Sequence, residues 1–379
     1  MVYPLIPLYL VSVFGATPAL VGIIEGIAGS LASLLKVFSG FLTDKFQKKK
    51  ALAFSGYSAG LIYKFALIFA TSWLGILSAR VIDRFGKGIR TAPRDVLVSD
   101  SVDKQNMGKA FGLHKALDMC GAALGILVTY FIIRNSIGYI DYKRIFTFSI
   151  IPATLGLFMF LFVKEIKIVR ELKKRELFWK NIKNINGQLK FYLFIVFIFS
   201  LGHSSNAFFV LKANSIGFDN ASVIFLFFIY HVVASIFSMP LGKLSDKIGR
   251  KNLLVPGYIA FSLCYFLFAF ANSKFELQLA FVLFGIYTAM IIGVERAFVS
   301  EISLPGLKGT MLGLHSTVAG VALLPASIIT GILWNQFGST VPFLFGACLS
   351  LISAILLLIF LKGKNNYNIP TPSAVHGGR

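Results

Sequence analysis

Apolar runs of roughly 20 residues recur along the chain with short polar breaks between them, the length at which a helix crosses ~30 Å of hydrocarbon. They predict helices over 1–15, 18–42, 51–70, 73–95, 108–133, 144–163, 188–211, 219–241, 252–272, 275–298, 310–333 and 338–361. The expected fold class is an all-α integral membrane protein with about twelve transmembrane helices. The first run is short. Val2 to Phe14 cannot cross the layer, so the first helix is expected to be truncated, or the true start to lie ahead of Met1.

Composition agrees with this class: the 379 residues are 56% apolar and 14% charged, against roughly 45–50% and 25% in soluble domains. The net charge of +21 gathers in particular loops, which fits the positive-inside rule and excludes a nucleic-acid surface. Lys45, Lys48, Lys49 and Lys50 follow the second run; Lys243, Lys247, Arg250 and Lys251 follow the eighth. The longest polar stretch, Lys164 to Gln188, holds Lys167, Arg170, Lys173, Lys174, Arg175, Lys180 and Lys183, and reads as a linker with a possible surface helix. Opposite loops such as "ATSW" and "NQFGST" are nearly uncharged, with Arg134, Lys143 and Arg144 the exceptions. The pattern predicts a multi-pass protein of the cytoplasmic (inner) membrane, both termini cytoplasmic. Its parts are a bundle over 1–163, a basic cytoplasmic linker over 164–187, a second bundle over 188–361 and a tail over 362–379. Cys120, Cys264 and Cys348 sit in apolar segments without metal or redox spacing and read as packing residues.

The chain repeats itself. "GFLTDKFQKK" from Gly40 recurs as "GKLSDKIGRK" from Gly242, and "GLH" recurs at Gly112 and Gly313, both about 201–202 residues apart. The same alignment sets Arg94 and Asp95 against Glu295 and Arg296, a charge pair in reversed order. A duplicated six-helix unit with parallel halves follows. Both copies resemble the loop signature between the second and third helices of the major facilitator superfamily, G-x-x-x-D-[RK]-x-G-[RK]-[RK]. The first supplies Gly40, Asp44, Lys45, Lys48 and Lys49, with Gln47 in place of the usual glycine; the second supplies Gly242, Asp246, Lys247, Gly249, Arg250 and Lys251. The resemblance implies two pseudo-symmetric six-helix bundles. It also implies that Asp44, and Asp246 by symmetry, hold the outward-facing state by pairing with basic groups or a helix N-terminus of the other half. The plainer alternative is that both carboxylates only shape a tight turn.

The fourth run is the most charged. "SARVIDRFGKGIRTAPRDVLVSD", Ser78 to Asp100, places Arg80, Asp83, Arg84, Lys87, Arg90 and Arg94 within a stripe about 120° wide at ~100° per residue. Charges at membrane depth are costly against lipid, so the stripe must face protein, water or solute. Arg90 and Arg94 approach the basic end and could snorkel. Arg80 matches the arginine carried by the superfamily's fourth helix, which the resemblance links to proton coupling or solute contact; Arg84 departs from that pattern, where glycine is common. The alternative is an ion-pair network balanced by Asp83 and Asp95.

Further candidates lie on other runs. His114, Asp118, Gly121 and Gly125 share one helix face, where the glycines would admit a neighbouring helix. The run Gly112, Gly121, Gly125 resembles the glycine signature of superfamily antiporters, although Ile126 replaces its proline and Thr129 and Tyr130 its glycine pair. Glu25, Asp118 and Glu295 are candidate proton carriers, because a desolvated carboxylate holds its proton readily; Lys36, Lys115 or Arg296 could instead neutralise them. His203 and Asn206, with Tyr230 and His231, offer neutral polar groups at mid-helix depth.

No nucleophile with its base, phosphate loop or metal-ligand spacing occurs, so neither an enzyme nor an ATP-driven pump is expected. The expected function is a monomeric secondary transporter without cofactor. It would move a small polar or anionic organic solute by alternating access, driven by the proton gradient, as efflux by antiport. Proton symport or facilitated diffusion uses the same parts. A membrane sensor or assembly protein with the same fold is the alternative of another class.

Overall fold

The computed structural model describes residues 2, 5–15, 18–134, 141–165, 187–203, 206–303 and 307–360, with side chains for all but 7–8, 11–12, 18–31, 207, 220 and 360. Most of the linker and the whole tail expected from the sequence lie outside this range.

The first half consists of α1 (Leu5–Phe14), α2 (Pro18–Phe46), α3 (Lys49–Phe69), α4 (Trp73–Asp100), α5 (Met107–Arg134), α6 (Tyr142–Phe148) and α7 (Ile150–Met159). The second consists of α8 (Gly187–Gly202), α9 (Ala207–Ser215), α10 (Asn220–Ile248), α11 (Arg250–Phe270), α12 (Lys274–Ile302), α13 (Lys308–Phe337) and α14 (Thr340–Phe360). The pairs α6/α7 and α8/α9 each take the place of one helix, so the described residues form two pseudo-symmetric bundles of six, in which the ten-residue α1 is too short to cross the layer.

Several helices outrun their apolar segments. α2 continues to Phe46, α4 to Asp100 and α10 to Ile248, because polar partners at their ends satisfy backbone groups that lipid could not. Two spans expected to be continuous are broken instead. The sixth bends at Ser149, where the hydroxyl donates to the Phe146 carbonyl at 2.6 Å and Pro152 lacks the N–H that would bind back to Phe148. The seventh ends a first segment at Gly202 and resumes at Ala207, with His203 N–H turned back onto the Ser200 carbonyl.

The molecule is apolar outside and in places polar within. Phe69, Phe162 and Phe275 are largely exposed, whereas Arg80 is 1% exposed, the distribution of a protein solvated by lipid. An aromatic core of Phe209, Phe261, Phe268, Phe281 and Phe343 fills the second half; Tyr9, Tyr63, Tyr142 and Phe146 belong to a smaller core in the first. The halves meet along α5 with α10 and α2 with α13.

The spacing rule for glycines on α5 needs correction. Gly121 has open space around it, and close approach falls nearer the start of the helix, at Gly108 and Gly112 against Gly242 and Ser238. The approach sits there because a carboxylate at the end of α10 pulls that helix onto the first turn of α5.

Candidate functional site: an ionic seam between the halves

The turns after α2 and α10 lie at one end of the molecule, which their lysines make strongly basic. There Asp44 accepts hydrogen bonds from the backbone N–H of Gly309 at 3.0 Å, and from the N–H and hydroxyl of Thr310, both at 2.7 Å. These are unsatisfied N–H groups at the positive end of α13, in the other half. Asp246 repeats the arrangement on α5, accepting from Gly108 N–H at 2.8 Å and Lys109 N–H at 2.7 Å.

An ion cluster surrounds each cap. Asp100 takes Lys49 at 2.8 Å and Lys308 at 3.1 Å, joining α3 and α4 to α13. Arg250 pairs with Asp246 at 3.0 Å and with Glu301, and donates to the Lys104 carbonyl at 2.7 Å. Gly40 lies against the Gly309 backbone, and Gly242 against that of Gly108, so closely that a Cβ at either would collide. Of the other signature residues, Lys45 lies over the rings of Phe41 and Phe46, and Lys247 is exposed.

The signature's missing glycine leaves a trace. Gly249 has φ +91°, and Gln47, at the equivalent turn, has φ +54°, the one positive φ at a non-glycine among the described residues. A side chain is disfavoured there; the Gln47 amide donates to the Asp44 carbonyl at 2.9 Å and offsets part of the cost.

A second polar layer lies deeper. Asp95, 1% exposed, receives Arg94 of its own helix at 2.9 Å and Arg296 of α12 at 3.3 Å. Lys115 pairs with Asp118 at 3.2 Å. Glu295, next to Arg296, instead accepts the Tyr258 hydroxyl at 3.0 Å and has His315 Nε2 at 3.7 Å. His315 also stacks on Tyr192. The Nε2 atoms of His114, His203 and His315 are buried without a hydrogen-bond partner among the described residues.

The stripe on α4 therefore divides. Arg80 pairs with Asp83 at 3.6 Å, inside the first half. Arg90 stacks on Tyr57 at 4.7 Å and reaches the Gly56 carbonyl of α3. Arg84, Lys87 and Arg94 face the seam, where Lys36 of α2 lies within electrostatic reach of Arg84, Arg94, Asp95 and Arg296. His203 stands among Phe261, Phe284 and Tyr287. Asn206 precedes α9 at its N-cap position, and His231 Nδ1 is 2.6 Å from the Phe227 carbonyl. Glu25 lies on α2 with its side chain outside the described set.

Sequence reasoning missed Asp100, Lys308, Glu301, Tyr258 and His315. The repeat held the signal for two of them, since His315 mirrors His114 and Glu301 mirrors Asp100.

Comparisons with known proteins agree with this arrangement. The pattern described as Major Facilitator Superfamily matches residues 1–211 and 192–376. An uncharacterized MFS-type transporter of Methanocaldococcus jannaschii is 36% identical over 94% of this chain and 90% of its own length. The multidrug resistance protein MdtH of Photorhabdus laumondii is 22% identical over 88% of this chain and 82% of its own. Among solved structures, the proton:xylose symporter XylE superposes with TM-score 0.75 at 16% identity, over 96% of this chain and 92% of that one. The human organic anion transporter MFSD10 does so with TM-score 0.72 at 14% identity, over 89% and 83%. A duplicated bundle, two mirrored carboxylate caps and a full-length match to the family pattern lead to one assignment: the chain is a multi-pass membrane protein of the Major Facilitator Superfamily, whose members are transporters and not enzymes.

Proposed function

We propose that the chain is a proton-coupled exporter of a small polar or anionic organic solute, with its basic end in the cytoplasm and that end closed in the described state. The observation that carries the reading is the pair of caps. Asp44 on α13 and Asp246 on α5 each tie one half to the other at the basic end, and neither set of bonds survives if the halves part there. Lysine-rich loops favour the cytoplasmic side for that end, and the likeness to a multidrug resistance protein supports export.

Glu295 is the coupling group in this reading. Asp118 has Lys115 as a counter-charge and Asp95 has two arginines. Glu295 is faced by Tyr258, Tyr192, Tyr287 and His315, while the Arg296 guanidinium is committed across the seam. A carboxyl held by such neighbours can accept and release a proton without breaking a short ion pair. Protonation would neutralise the carboxylate beside His315, and a solute would exchange with that proton as the halves rock.

The test is reconstitution into proteoliposomes carrying a pH-sensitive dye, with an imposed gradient and a panel of organic acids, sugars and antibiotics. Solute-dependent proton movement supports the reading. Its absence for every solute that shows counterflow would reduce the protein to a facilitator, and absence of counterflow as well would favour a sensor or assembly role.

A further inference from the structure

We infer that Lys36 and Lys87, with Arg84 beside them, form a binding site on the first half's wall for a compact anion carrying two or more negative charges; this deepens the transport reading above and rests on it for access to the seam. The argument begins with which cations already have partners. Arg94 and Arg296 share Asp95, Lys115 has Asp118, Arg80 has Asp83, and Arg90 lies on the Tyr57 ring. Lys36 and Lys87 have no carboxylate within 4.0 Å among the described residues.

Both lysines are deep in the membrane. Lys87 precedes the end of α4 at Asp100 by ~20 Å of helix, and Lys36 precedes the end of α2 at Phe46 by ~15 Å. They lie within electrostatic reach of each other and of Arg84. Lys87 nonetheless keeps an exposed side chain, on the side of α4 that carries Arg94 toward the seam. It does not point at α3, because that side is taken by Gly86 against Gly56 and by Arg90 against Tyr57. That side chain is therefore within reach of a solute that enters the seam.

Like charges held near each other in a low-dielectric site repel, and an anion between them removes that repulsion. Two ammonium groups call for two negative charges, and flexible lysine stems with three donors each fit carboxylate or phosphate oxygens as point charges. Arg80 is excluded from this role by its enclosure beside Asp83.

The experiment is thermal unfolding of the purified full-length chain in detergent, titrated with citrate, succinate, acetate or glucose at constant ionic strength held with chloride. The expected result is a saturable rise in Tm for citrate and succinate and none for acetate or glucose. Lys36→Gln and Lys87→Gln should each weaken citrate binding tenfold or more, the corresponding arginine variants should retain it, and Lys243→Gln, at an exposed position of the basic end, should leave it unchanged. No saturable shift with citrate, an equal shift with acetate, or binding that survives both glutamine variants overturns the inference. If the variants do not fold, the valence series on the wild-type chain decides alone. The measurement needs no gradient. A chain that binds citrate but moves no protons would defeat the coupled-transport reading and leave this one standing; the reverse outcome would do the opposite.

Discussion

Asp95 of α4 and Arg296 of α12 meet at 3.3 Å across the two halves, and the internal repeat makes them equivalent positions. Equivalent positions can touch only near the axis that relates the halves, which puts this bridge at the centre of the molecule. An exact duplicate would set like against like there, and two buried like charges repel strongly. The reversed order, Arg94–Asp95 against Glu295–Arg296, turns that repulsion into attraction and frees Glu295 for Tyr258 and His315.

The bridge sets the first prediction. Asp95→Asn leaves Arg94 and Arg296 facing each other without their shared carboxylate, and breaking a buried pair in this way costs about 3–5 kcal/mol. A large fall in Tm is expected. Arg296→Gln should cost less, because Arg94 still compensates Asp95. The double variant should show a coupling of about 0.5–3 kcal/mol in a double-mutant cycle, and strict additivity would mean that the two residues do not interact.

The caps can be tested through the distance between the halves. Asp44→Asn removes a charged acceptor from three donors of α13 and Thr310, and Asp246→Asn removes one from two donors of α5. Hydrogen bonds to a charged group contribute about 1.5–3 kcal/mol each, so either variant should shift the population toward an open basic end by tenfold or more. Spin labels at the exposed positions Lys48 and Lys243, read by pulsed electron resonance, should show a longer distance in both variants.

Gln47 offers a gain in stability. Its φ of +54° suits glycine, and Gln47→Gly relieves a left-handed strain of about 1–2 kcal/mol while losing the amide bond to the Asp44 carbonyl, about 0.5–1.5 kcal/mol. Tm should stay level or rise slightly. Gly249→Gln, which adds the strain at the second turn, should lower it.

Glu295 separates coupling from transport. Glu295→Gln keeps a similar shape and a Tyr258 hydrogen-bond acceptor but cannot bind or release the proton. Counterflow of solute should persist while the dependence of net transport on an imposed pH gradient disappears. A variant that still concentrates solute against its gradient would remove Glu295 from the coupling role.

How much of this was legible in the sequence follows from the kind of signal each feature leaves. Helix length against membrane thickness gave the helices of the described bundles, and the offset between "GFLTDKFQKK" and "GKLSDKIGRK" gave the two halves, because both depend only on spacing along the chain. The stripe on α4 was visible as a periodicity, as was the need to keep it from lipid. Periodicity ranks residues around one helix but carries no information about the helix opposite. The packing of α4 between its own bundle and the other half decided that Arg80 is enclosed with Asp83, that Arg94 and Asp95 reach Arg296, and that Lys36 and Lys87 have no carboxylate within 4.0 Å among the described residues. The caps are the same case: Asp44 and Asp246 could be read from the loops, but the N–H groups they bind belong to helices more than a hundred residues away, and only the folded chain brings those helix ends to them.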